Sequence, residues 1–209
     1  MIAGTAKIDL KVFAAANGRD GGTPLELERV IPVFHRWIQE RVLDELLVDV
    51  ADYTHVPEGP GVVLVCHDAL YALDGAGGEL GLLYSRRRET HPSLGTIASL
   101  DDRLASVFRR ALAACDRLER EESLGGALRF PGDRFLVAVN DRRVTAEQAG
   151  ELAAALGRLA AWLLPGETPA IEIHQRAGDR LAASVRRDRA AGVAELLIRL
   201  SGEAVVGRI

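Results

Sequence analysis

With 209 residues, 48% hydrophobic and 27% charged, the chain has the mixture of an ordinary folded globule, long enough for one large domain or two small ones. A formal charge of −4 argues against non-specific nucleic-acid binding, which draws its affinity from a basic face neutralising phosphates. The two cysteines, Cys66 and Cys115, form no Cys-x-x-Cys pair, which argues against a disulfide framework or a structural zinc ribbon; both read as buried thiols.

Residues 6 to 14 alternate apolar and polar positions for most of their length, the period of a strand with one wet face. Lys7, Asp9, Lys11, Arg19 and Asp20 interrupt the start of the chain, so no secretion signal is expected there. No run reaches the roughly 18 apolar residues of a membrane span, and cytoplasm is the expected compartment. Lys7 and Lys11 are the only lysines beside many arginines and alanines, a composition that suggests a GC-rich bacterial genome.

Thr23 reads as the cap of a helix with Pro24 at its first position and Glu26 as capping-box partner, burying Leu27, Val30, Ile31, Phe34 and Ile38. Pro32 falls inside that stripe, where an unbroken helix would lose about 3 kcal/mol, so a kink or a late start is expected. Three strand segments follow, at 46 to 54, 61 to 73 and 79 to 88, joined by Pro-Glu-Gly-Pro-Gly and Asp-Gly-Ala-Gly-Gly turns as an antiparallel meander. Ser99 with Asp102 opens a helix along Leu104, Val107, Phe108, Ala111, Cys115 and Leu118, ended by Gly125 and Gly126.

Strand pieces come next near 127 to 130 and 134 to 140. A helix then starts at Thr145, with Gln148 as its box partner and Leu152, Leu156, Ala160 and Leu163 inward, and stops at Pro165 and Gly166. A hairpin over 169 to 187, turning at Ala-Gly-Asp, and a helix over 193 to 200 complete the chain. Ala-Asn-Gly-Arg at 16 to 19 and Val-Asn-Asp-Arg at 139 to 142 both end a strand before a capped helix. The expected fold is therefore α+β: two tandem ferredoxin-like β-α-β-β-α halves, residues 1–124 and 125–209, with antiparallel sheets and helices on one face, one continuous domain being the alternative.

The window from 49 to 74 holds Asp49, Asp52, Tyr53, His55, His67, Asp68, Tyr71 and Asp74 around the apolar run Val62 to Cys66. Carboxylate and imidazole groups at the ends of such a strand can shift one another's ionisation and bind a cation or a reacting proton. One hairpin register sets Asp49 opposite His67; a one-residue slip sets it opposite Asp68, a carboxylate pair suited to a hard cation. Arg86 and Arg88 alternate onto one face of the last meander strand, spaced to fork onto a phosphate or carboxylate. His35, beside Trp37, is expected to be partly buried against a carbonyl, and His55 solvated; His91 and His174 have no obvious partners.

The loops at 17 to 23 and 75 to 81 fail the phosphate-binding and dinucleotide patterns and read as turns. Hydrolase signatures such as His-Glu-x-x-His and Gly-x-Ser-x-Gly are absent. Ile-Pro-Val-Phe-His-Arg-Trp-Ile-Gln at 31 to 39, with the 49 to 74 window and Gly-Leu-Leu-Tyr-Ser-Arg-Arg-Arg at 81 to 88, resembles a group of bacterial proteins of no assigned activity. The resemblance covers the first half and implies no reaction, substrate or cofactor.

The sequence reading is a non-catalytic binding module. Asp49, His67, Asp68, Tyr71, Arg86 and Arg88 would line a pocket for a small anionic ligand or a divalent metal held by Asp49, His67 and Asp68. The alternatives are a metal-dependent hydrolase on the same Asp and His residues, and a purely structural or oligomerising protein. No cofactor is named, no nucleic-acid or membrane partner is expected, and a homodimer through sheet faces or helices is the expected assembly.

Overall fold

The N-terminal alternation forms strand β1, Ile8–Phe13, which is the centre of the whole architecture. In the computed structural model, which describes residues 2, 7–15, 25–86, 99–140, 145–163, 165–174 and 180–202, β1 pairs on one side with β5 (Gly81–Arg86) and on the other with β6 (Arg134–Val139). The remaining strands are β2 (Leu47–Tyr53), β3 (Gly61–Cys66), β4 (Ala69–Asp74), β7 (Ala170–His174) and β8 (Leu181–Arg186). Together they make one eight-stranded antiparallel sheet in the order β2-β3-β4-β5-β1-β6-β8-β7.

The four helices are α1 (Val30–Glu40), α2 (Leu100–Glu119), α3 (Ala146–Leu163) and α4 (Val193–Gly202). Their apolar stripes share one core with every second residue of the strands, for example Leu64, Tyr71, Tyr84, Leu10, Val137 and Ala183 in neighbouring positions across the sheet. The intervening residues face the other way. Val63 and Ala72 are buried there at 6% and 0% exposure yet lie outside that core, and no helix among the described residues covers this second, open face.

Several sequence expectations change. The segment from 61 to 73 is two strands, because the chain reverses at His67 and Asp68, so the first half runs β-α-β-β-β-β-α. Only the second half, β6-α3-β7-β8-α4, keeps the expected β-α-β-β-α order, and the strand order is not the one typical of paired ferredoxin-like units. Residues 127–130 form no strand; a short 3-10 turn, Glu122–Leu124, leads into them. Helix α1 starts late, after a 3-10 turn at Leu27–Arg29, which leaves Pro32 in its first turn, where a missing amide costs no helical hydrogen bond. The stripe it buries is Val30, Val33, Phe34 and Trp37, and His35 beside it is exposed rather than partly buried.

Helix α2 opens as its sequence specifies. Ser99 accepts from the Asp102 amide at 3.2 Å, and the Asp102 carboxylate accepts from the Ser99 amide, a closed capping box. The β2–β3 hairpin ends at Gly61, whose φ of +64° and approach to the Leu73 carbonyl, 2.2 Å from where a Cβ would stand, admit only glycine. The expected cap at Thr23 and Pro24, the loop at 17 to 23, the turn at 177 to 179, His91 and Arg88 lie outside the described residues. No described helix is long and apolar enough to cross a membrane.

Candidate functional site

The five candidate residues among the described ones, Asp49, His67, Asp68, Tyr71 and Arg86, do not gather in one hollow. Residues Asp49 to Tyr53 pair with Val65 to Gly61, and a bulge separates them from the Leu47–Cys66 pair. Asp49 therefore lies opposite Val65, and both expected registers, Asp49 with His67 or with Asp68, are overturned. The irregularity after Leu47 consumes one residue and ends the strand before His67, which instead turns the chain. Asp49 is exposed on the open face, and its Oδ1 accepts from the following Val50 amide at 2.8 Å.

His67 and Asp68 make up the β3–β4 turn and meet each other, Nδ1 to Oδ1 at 3.0 Å, with side chains 65% and 37% exposed. They reach neither Asp49 nor a third ligand: among the described residues no group of three or more His, Cys, Asp or Glu could hold a metal ion. His174 contacts the Ser184 hydroxyl at 2.9 Å. Tyr71 and Arg86 lie on the helix-covered face, on the opposite side of the sheet from Asp49, and there they join a cluster that the sequence reading missed.

Its centre is Glu45, in the segment between α1 and β2. Register places Tyr71 of β4 directly beside Tyr84 of β5, ring centroids 4.9 Å apart. Both phenols donate to Glu45, Tyr71 to Oε2 and Tyr84 to Oε1 at 2.7 Å. Buried tyrosine hydroxyls need a partner, and one carboxylate with two oxygens serves both. Burial, followed by the Glu45 charge, pushes both phenols well above their ordinary range, so they stay protonated donors.

The opposite charge arrives from α2. Arg110 brings Nη1 to 3.3 Å from Glu45 Oε1, but that buried nitrogen has no hydrogen-bond partner among the described residues. Burial opposes the charge on Arg110; the negative charge of Glu45 outweighs it and holds the guanidinium charged. One turn earlier on α2, Ser106 is reached by Arg86 Nη1 at 3.4 Å, a long contact that, among the described residues, leaves most of the guanidinium's donors uncommitted. The fields of both arginines reach Tyr84. The end of the sheet thus carries two half-buried guanidinium groups, a hydroxyl and one carboxylate already shared with two phenols.

The sequence held one signal for this cluster. Two tyrosines one strand apart on a covered face require an acceptor, but finding it needs the β4–β5 register, and Glu45 lies in a segment with no periodicity. Elsewhere, a surface hollow of about 620 Å³ lies between α1, α2 and α4, lined by Arg36, Asp116, Arg117, Arg120, Glu121 and Leu197 among others. Its guanidinium groups are largely spent on its own acids, Arg36 on Glu121 and Arg120 on Asp116, so a ligand there would have to displace existing ion pairs. Comparison with protein-family models, curated proteins and solved structures finds no match to this chain.

Proposed function

We propose that the chain is a non-catalytic binding module for a small anion of the phosphate or carboxylate class, received at the end of the sheet by Arg86, Ser106 and Arg110. The observation that carries the reading is the donor capacity left over among the described residues: an Arg110 Nη1 that lies 3.3 Å from Glu45 without making a hydrogen bond, and an Arg86 whose contact with Ser106 is 3.4 Å long. Planar guanidinium groups bind such anions in a fork, and one carboxylate cannot neutralise two of them. Glu45 and the phenols then act as a rigid wall that orients Arg110. The metal reading, and with it a hydrolase built on Asp49, His67 and Asp68, has less support, because those residues lie on a sheet face and in an exposed turn.

The finer reading of the fold also narrows to a proposal. Strands β6 and β7 run parallel with β8 inserted between them, and α3 connects the two. That order supports reading the second half as a ferredoxin-like unit of the split βαβ kind, with β1 along its free side.

Thermal unfolding in inorganic phosphate, against chloride of equal ionic strength, tests the binding reading. At ten times the dissociation constant a ligand adds about 1.4 kcal/mol, a rise in Tm of about 3 to 5 °C for a chain of this size. Arg86→Ala and Arg110→Ala, if folded, should lose the rise. An equal rise in both variants, or none in the unaltered protein with phosphate or acetate, would sink the proposal.

A further inference from the structure

Charge is spread unevenly along this chain: residues 42 to 85 hold eight acids and no lysine or arginine. Four of those acids meet a basic group, Glu45 with Arg110, Asp68 with His67, Asp74 with Lys11 and Glu79 with Arg134. Of the rest, Asp44 lends its field to Arg110, while Asp49, Asp52 and Glu58 form no ion pair among the described residues. They accept only from the Val50 amide, from Thr54 and from the Gly77 amide. All three lie on β2 or on the hairpin turn after it, and β2 is an outer strand of the sheet with β3 on one side only.

An edge strand presents unpaired amides and carbonyls, which proteins commonly blunt with lysine, proline or a short length. Strand β2 is seven residues long with neither lysine nor proline, and the bulge after Leu47 leaves its ladder regular from Asp49 to Tyr53. The opposite edge, β7, is shorter, with Ile171 and Ile173 packed on the core and Ala170, Glu172 and His174 exposed. Along β2 and its flanks, by contrast, Leu46, Val48, Tyr53 and Val56 are four of the five exposed large apolar side chains among the described residues.

Register shows which backbone groups face outward. The His67 amide donates to the Leu46 carbonyl at 2.9 Å, so every second residue before it on β3, Val65, Val63 and Gly61, turns its backbone to β2 likewise. Val50 and Asp52 lie opposite the residues between, Leu64 and Val62, and their amides and carbonyls therefore point away from the sheet. We propose that this edge takes up an extended peptide that alternates basic and apolar residues, added to the sheet as a further strand.

The charges select that occupant. Asp49 Oδ1 sits 2.8 Å from the outward Val50 amide, a latch that a cation opposite Asp49 draws off and a neutral or acidic strand does not. A second copy pairing β2 with β2 would bring the Asp49 and Asp52 carboxylates of both chains together with no cation between them, a destabilising arrangement. A strand with lysine or arginine on one face and apolar residues on the other neutralises these acids and covers Val48 and Tyr53, while its main chain supplies the bonds that the edge lacks.

Fluorescence anisotropy at low salt tests this with the full chain and a short labelled peptide alternating lysine and valine. It should bind saturably, and Asp49→Asn with Asp52→Asn, both exposed positions, should weaken it at least about tenfold, as should added salt. The same peptide N-methylated throughout keeps its charges and side chains but has no amide to donate, and should also bind at least about tenfold more weakly. Hydrogen exchange locates the contact, since the Val50 and Asp52 amides should slow on adding the peptide and those of β7 should not. No binding, equal binding of a glutamate–valine peptide or of the methylated one, or protection at β7 instead would each overturn the proposal. A bare chain that sediments as a dimer with the Val50 and Asp52 amides already protected would put a second copy on this edge and overturn it equally.

Discussion

Glu45 is a single carboxylate on which two strands and a helix converge, since Tyr71 and Tyr84 donate hydrogen bonds to it and Arg110 sets its charge 3.3 Å away. Its removal therefore leaves three partners wanting rather than one. Glu45→Ala should cost about 3 kcal/mol in urea unfolding, whereas Tyr71→Phe, which deletes one donor and leaves Glu45 its other two partners, should cost about 1 kcal/mol. Comparable losses would mean the network is not shared. The same burial makes the fold sensitive to alkali, and the sign follows from the direction of the phenol shifts. Tyr71 and Tyr84 are raised above the ordinary value of about 10. Below that pH both folded and unfolded chains keep the phenolic protons and stability is intact. Above it the unfolded chain releases them while the folded chain holds them, so stability falls by up to about 1.4 kcal/mol per pH unit for each phenol. Phenolate absorbance should show Tyr71 and Tyr84 ionising together with loss of helical circular dichroism, not before it; ionisation in the folded protein would place the rings in water.

At the scale of elements, the parts that were legible in the sequence are those fixed by local chemistry. Ser99 and Asp102 close the expected capping box, the apolar stripe from Leu104 to Leu118 is buried, and Pro165 and Gly166 follow the end of α3. What was not legible depends on contacts between segments. The His67–Asp68 turn carries neither glycine nor proline, so the apolar run through it read as one strand; the break comes from pairing β3 with both β2 and β4. The bulge after Leu47 that moved Asp49 opposite Val65 has no local signature either. The capping box offers a clean test of the local part. Ser99→Ala removes the acceptor for the Asp102 amide and should cost about 1 kcal/mol, while Asp102→Ala should cost a similar amount by freeing the Ser99 amide. Because the two bonds belong to one motif, the double variant should lose less than the sum, which a double-mutant cycle reads directly.

At the scale of the molecule, β1 decides whether the two halves of the sequence are two objects. It donates one edge to β5 of the first half and the other to β6 of the second, and its Leu10 and Val12 are fully buried in the core that both halves share. Separating the halves would leave β6 with an open edge and strip the shared core of its middle strand, so the chain should unfold as one unit. The tryptophans make this measurable, since Trp37 lies buried in α1 and Trp162 half-buried in α3, one in each half. Chains retaining only one tryptophan, made by Trp37→Phe or Trp162→Phe, should each report a denaturant transition that coincides with the circular dichroism of the same chain. Val12→Ala, which opens a cavity in the strand common to both halves, should lower either reporter's midpoint by the same amount, for a cost of about 1 to 3 kcal/mol. If Val12→Ala moved the Trp162 transition and left that of Trp37 in place, the sheet would be continuous in its hydrogen bonds but not in its cooperativity, and the N-terminal strands would be folding on their own.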